Sequence, residues 1–92
     1  MANKYKEVEL LYREADELRK DAHDKWGKAL GGKLTVPGVS QDYLMAKTRV
    51  LMEVAFAIED YSMRIQGKPL EVNLEEVRRY RELIKIVKGL LP

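Results

Sequence analysis

The stretch VLMEVAFAIEDYSMRI, residues 50–65, constrains the fold more than any other part of the chain. Placed at 100° per residue, it and the residues just before it are apolar on two separate sides of one helix. The broader stripe consists of Leu44, Leu51, Val54, Ala55, Ile58, Tyr61 and Ile65. The narrower stripe, more than a quarter-turn away, consists of Met45, Met52, Phe56 and Met63. A helix with two apolar faces must be covered on both, which predicts the middle helix of a small bundle.

The flanking segments have the apolar spacing and the end signals of two more helices. Apolar residues at three- and four-residue spacing predict a first helix over residues 3–30, ended by Gly31 and Gly32. Ser40 is the predicted N-cap of a second helix over residues 41–66. Asn73, with Glu76 three residues later, predicts the start of a third helix over residues 74–90. The apolar loop between the first two helices is expected to pack on the bundle end.

These elements predict an all-α protein, a three-helix bundle in one domain over residues 1–92. Its base is a long antiparallel hairpin with a shorter third helix packed on it. Because the connection before the third helix is short, that helix is expected to run back along the second, from Ile65 to about Arg49. There it would cover Met52, Phe56 and Met63. Glu59, between the two stripes, is expected to be at least half buried and paired with Arg81.

The composition excludes several classes of protein. The chain has no cysteine, which rules out disulfides, thiol catalysis and cysteine-ligated zinc. A charged fraction of 35%, with few amide side chains, is typical of thermophilic proteins. The N-terminal residues lack the apolar run of a secretory signal, and the longest uncharged apolar run, residues 54–58, is far too short for a membrane span. We therefore expect a cytoplasmic protein.

The last third of the chain carries the whole excess of positive charge. On the third helix, Arg78, Arg81, Lys85 and Lys88 fall within about 80° of one another. Such a stripe could contact a few backbone phosphates of DNA or RNA. The alternative is a solvated charged face, and it is favoured because no aromatic stacking pattern or nucleic-acid motif accompanies the stripe.

Two polar sets could carry chemistry. Tyr12, Asp16, Arg19 and His23 share one edge of the first helix and could do acid–base work, or form a boundary network in which Arg19 reaches a carboxylate. The second set is Glu14, Glu17, Glu53 and Asp60. It resembles the paired acidic motifs of magnesium-dependent all-α nucleotide pyrophosphohydrolases, but Ala57 stands where the second Glu-x-x-Asp motif needs its glutamate. Solvated helix charges are the favoured interpretation, so no catalytic residue, metal site or cofactor is predicted.

Apolar residues left without cover indicate where a partner binds. The third helix is too short to reach the loop end of the hairpin, where Trp26, Leu30, Tyr43 and Met45 lie. Its own apolar arc is wider than one packing face needs, because it also includes Leu83, Ile86 and Leu90. These seven residues are the predicted protein interface.

The function predicted from these features is non-enzymatic: a small helical interaction or accessory subunit that binds a protein partner or self-associates. One alternative is an accessory factor of a DNA- or RNA-handling complex that contacts phosphates through the third helix. A small all-α enzyme is the second alternative. The sequence indicates neither a small-molecule substrate nor membrane attachment.

Overall fold

The computed structural model describes residues 3–92, which form three α-helices and one short 3-10 helix. Helix α1 spans Lys4–Leu30, α2 spans Gln41–Gln66 and α3 spans Leu74–Leu90, while the 3-10 helix is Pro69–Glu71. No strand occurs within residues 3–92. The predicted all-α three-helix bundle is confirmed. It is elongated, with extents of 48 × 19 × 14 Å.

Side-chain caps fix where each helix begins. The side chain of Asn3 accepts hydrogen bonds from the backbone N–H groups of Tyr5 and Lys6, and Ser40 accepts one from Tyr43. Asn73 accepts from Glu75 and Glu76. Each cap satisfies N–H groups that lack a partner within the helix, so these polar residues end the preceding loops at defined positions.

The first loop, which follows α1 at Gly31, turns at Gly32, whose φ of +70° lies in the left-handed region that glycine enters at little cost. The N–H of Lys33 then donates back to the carbonyl of Lys28 at 2.8 Å. The side chain of Gln41 donates to the carbonyl of Ala29 across the loop. Leu34, Val36 and Val39 are partly buried, as the prediction of a packed loop requires.

The core lies along the seam between α1 and α2 and is closed on one side by α3. Its centre contains small residues with no exposed surface, Ala15 and Ala22 on α1 and Ala55 on α2, which let the two long helices approach closely. The surrounding large side chains are Val8, Leu11, Leu18, Leu51, Ile58, Val72, Val77, Ile84 and Val87. Burial of this continuous apolar seam is the main force that holds the helices together.

Helix α3 packs more extensively on α1 than on α2, which differs from the prediction. Its main contact with α2 is a stack of Tyr80 on Tyr61, with ring centroids 4.1 Å apart. Phe56 and Met63 on α2 remain 44% and 55% exposed, so the expectation that α3 covers them is wrong. The physical reason is rotation of α3 around the hairpin towards α1, where it finds ionic partners.

Candidate interaction surfaces

The basic stripe of α3 faces acidic residues of α1. Arg78 donates from Nε to Oε1 of Glu7 at 3.2 Å, and Arg81 donates twice to Oε1 of Glu14, at 3.0 and 2.7 Å. The hydrogen bonds that Arg81 donates to Glu14 raise the pKa of Arg81 above its ordinary value, against the opposing effect of burial. These pairs attach α3 to α1 and neutralise two of the four candidate phosphate contacts.

The other two basic residues also lie beside carboxylates. Lys85 donates to Oε1 of Glu82 on its own helix at 3.1 Å. Lys85 and Lys88 line an open groove of about 350 Å³ between α1 and α3, whose remaining lining residues are Glu14, Glu17, Leu18, Asp21 and Ile84. A phosphate here would meet three carboxylates together with two ammonium groups, which weakens its attraction. Nucleic-acid binding by the stripe stays a prediction that this surface does not favour.

Glu59 is more than half buried and paired, as predicted, but its partner is Arg19 and not Arg81. Nε of Arg19 donates to Oε2 of Glu59 at 3.1 Å, and Nη2 of Arg19 donates to Oδ1 of Asp16, also at 3.1 Å. The Glu59 side chain is 13% exposed and that of Arg19 28%. The prediction of an Arg81 pair was wrong because α3 is rotated towards α1, which brings Arg81 to Glu14 instead.

The same network accounts for most of the candidate acid–base set on α1. Hydrogen bonding and charge from Glu59 raise the pKa of Arg19, while the hydrogen bond from Lys20 is the main cause that lowers the pKa of Asp16. His23 lies outside the network, with its ring centroid 6.2 Å from that of Trp26. Arg19 therefore forms the boundary network with carboxylates that was the alternative to an acid–base site.

The four acidic residues Glu14, Glu17, Glu53 and Asp60 do not form a cluster. Glu14 binds Arg81 on α3, while Glu53 pairs with Arg49 and Asp60 with Arg64 on the exposed surface of α2. Within residues 3–92, no group of three or more His, Cys, Asp or Glu side chains has the arrangement of a metal site. The resemblance to the magnesium-dependent pyrophosphohydrolases is thus limited to sequence spacing on α1.

One exposed apolar surface lies on the side of the hairpin away from α3, and we call it the hairpin face. Trp26 and Leu30 of α1 and Met45 of α2 line one cleft at its loop end. By helical period the same face continues along both helices, and its further members are Tyr5, Tyr12, Met52, Phe56 and Met63. The Arg19–Glu59 pair lies in the middle of this face.

A second exposed apolar surface lies between α2 and the C-terminal end of α3, and we call it the α2–α3 groove. Tyr43, Ala46 and Val50 of α2 and Leu90 of α3 line it together. By helical period Leu83 and Ile86 lie on the same edge of α3 as Leu90. The seven predicted interface residues therefore divide between two surfaces: Trp26, Leu30 and Met45 on the hairpin face, and Tyr43, Leu83, Ile86 and Leu90 at the groove.

Five exposed large apolar residues were not among the predicted interface residues: Tyr5, Val50, Phe56, Met63 and Leu70. Phe56 and Met63 had been placed under α3, although the sequence already showed that they share a stripe with Met45. Val50, which is 58% exposed, follows Tyr43 by seven residues, or about two turns. This spacing is a sequence signal that could have identified it.

Comparison with protein-family models, with curated proteins and with solved structures gave no match for this chain. Within residues 3–92, no helix combines the length and the apolar character that crossing a membrane requires.

Proposed function

We propose that this protein is a non-enzymatic helical interaction subunit that binds other protein surfaces through the hairpin face and the α2–α3 groove. The observation that carries the proposal is the grouping of its exposed large apolar side chains. Most of them lie on these two surfaces, and Leu70 of the 3-10 helix is a separate case. Exposed apolar residues scattered singly are ordinary, whereas contiguous ones on a small domain mark interfaces.

The chemical character of both surfaces supports protein binding. The hairpin face combines methionines with Trp26 and Phe56, residue types that fill irregular apolar partner surfaces. The α2–α3 groove is almost wholly apolar, with Lys47 as the one charged residue lining it. Charged residues are depleted from the centres of protein interfaces in the same way.

Affinity capture with bait variants that carry glutamate in place of an apolar residue tests the proposal. The wild type is compared with Phe56→Glu on the hairpin face, with Val50→Glu in the α2–α3 groove, and with Leu70→Glu. Leu70 is a matched control because it is 67% exposed and lies on neither surface. We expect a protein retained by the wild type and by Leu70→Glu to be lost with at least one of the other two variants. The proposal is contradicted if the protein does not self-associate and both Phe56→Glu and Val50→Glu retain every protein that the wild type retains.

The salt dependence of binding distinguishes the nucleic-acid alternative from the proposed protein-binding function. If α3 contacts phosphates, the protein binds mixed-sequence duplex and the binding weakens as the salt concentration rises. The slope of the logarithm of the binding constant against the logarithm of the salt concentration then becomes shallower by about one unit in each of Arg78→Ala, Lys85→Ala and Lys88→Ala. We expect no such binding, because Arg78 and Lys85 are paired with carboxylates. Binding with those slopes would establish the alternative instead.

A further inference from the structure

The hairpin face is a continuous surface, and within residues 3–92 no other element packs over its whole length. On the opposite side of the hairpin, α3 buries Val77, Ile84 and Val87 against the core. On the hairpin face, Phe56 and Met63 keep about half of their surface in water. The two long helices therefore have one covered side and one open side. The open side is apolar except at the Arg19–Glu59 pair in its centre and at Asp42 and Arg49 beside the loop-end cleft.

The size of this face matches the requirement of a stable dimer. Helix α1 spans 27 residues and is therefore about 40 Å long, and two packed helices present a width of about 20 Å. The product is about 800 Å² for the whole side of the hairpin, comparable with the area that each partner of a standard interface buries. A single bound helix, about 10 Å wide, would leave half of the face uncovered.

The charges of the face suit a second copy of the same surface. Asp16 and Glu59 are balanced by Arg19 and Lys20, which pair with them. Two copies brought together by a two-fold axis therefore place one locally neutral network against another. The face has no charge surplus that would favour an acidic or a basic partner.

The distribution of side chains along the face is also self-complementary. A two-fold axis through its middle places the loop end of one copy, with Trp26 and Met45, on the terminal end of the other, with Tyr12 and Met63. Because this axis stacks α1 on α1 and α2 on α2, Trp26 meets the Tyr12 end and Met45 meets the Met63 end, so each end finds an apolar partner. Phe56, near the middle of α2, lies close to the axis and opposite its own copy.

From these observations we propose that the hairpin face binds the hairpin face of a second copy of this chain. The product is a two-fold symmetric, antiparallel four-helix core of α1 and α2 from both copies, with α3 on the outside. This inference rests on the proposed function and names the partner of one of its two surfaces. It leaves the α2–α3 groove free on each copy, so a dimer could still bind another protein.

Sedimentation at about 1–100 μM, the range of moderate protein affinities, tests the dimer. We expect the wild type to be a dimer and Phe56→Glu to weaken it at least ~100-fold, because each interface then buries two unpaired carboxylates. Val50→Glu, in the α2–α3 groove, should leave the dimer intact. Circular dichroism should show unchanged helix content in both variants, since each side chain has about half of its surface exposed.

Cross-linking gives a second readout that does not depend on weakening the interface. The chain has no cysteine, so Phe56→Cys introduces a single thiol. We expect a short bis-maleimide to join two chains at this position and not at Leu70→Cys. A monomeric wild type at the highest concentration overturns the inference, as does a dimer broken by Val50→Glu and not by Phe56→Glu. Capture of a partner through the groove by a strictly monomeric protein would overturn the dimer alone and leave the proposed function standing.

Discussion

Arg19 and Glu59, forty positions apart in sequence, form a hydrogen-bonded ion pair of 3.1 Å in the middle of the hairpin face. The pair links α1 to α2 and is mostly shielded from water on its Glu59 side. A charge pair in such a place helps to align the two helices, because its hydrogen bonds are directional whereas the apolar contacts along the seam are not.

A double-mutant cycle measures that linkage. With Arg19→Met and Glu59→Leu, we expect a coupling free energy of about 1 kcal/mol in urea unfolding, because the pair is partly buried and doubly hydrogen-bonded. The control is the exposed Arg13–Glu9 pair, four residues apart on α1, for which about 0.3–0.5 kcal/mol is expected. Equal coupling in the two cycles would show that the Arg19–Glu59 pair has no special role.

Leu11 is the largest side chain with no exposed surface, so its truncation should be costly. We expect Leu11→Ala to lower the free energy of unfolding by about 2–5 kcal/mol through lost burial and a residual cavity. Leu70→Ala, at a 67% exposed position, should change it by less than about 0.5 kcal/mol. Denaturant titration of both variants checks this, and similar small effects at the two positions would contradict the assigned core.

Gly27 and Gly32 should respond to alanine in opposite directions. Gly27 lies inside α1, and a methyl group there would meet nothing within 4 Å. We expect Gly27→Ala to stabilise the protein by up to about 1 kcal/mol, since alanine is the better helix former. Gly32→Ala should destabilise it by about 1 kcal/mol, because the φ of +70° is strained for alanine. Thermal unfolding of each variant gives the sign directly.

Tyr61 should make the protein sensitive to high pH. Burial, with a hydrogen bond to the Glu76 carboxylate, raises the pKa of Tyr61 from 10 to about 12. The unfolded chain releases this proton at lower pH than the folded chain, so the resulting stability is full below pH 10 and is lost as pH rises towards 12. We expect the free energy of unfolding of the wild type to fall more steeply over this interval than that of Tyr61→Phe. Parallel pH profiles would contradict the shift.

The extent of every helix follows from local signals in the sequence. Ser40 and Asn73 cap their helices by accepting hydrogen bonds from backbone N–H groups two or three residues later. Gly32 forms the turn after α1 by adopting a positive φ, which depends only on its immediate neighbours. The helical period likewise identified the buried seam and the separate methionine stripe of α2. These features depend on short-range geometry, which a sequence pattern contains.

The assignment of partners was decided by the tertiary structure alone. The helical period gives the direction of each side chain about its own axis, but it does not give the rotation of α3 around the hairpin. That rotation brought Arg81 to Glu14, left Glu59 to Arg19, and left Phe56 and Met63 open to water. Apolar packing tolerates several such rotations at similar cost. The directional ion pairs between α3 and α1, which form only once the helices have assembled, favour the rotation in which Arg78 meets Glu7 and Arg81 meets Glu14.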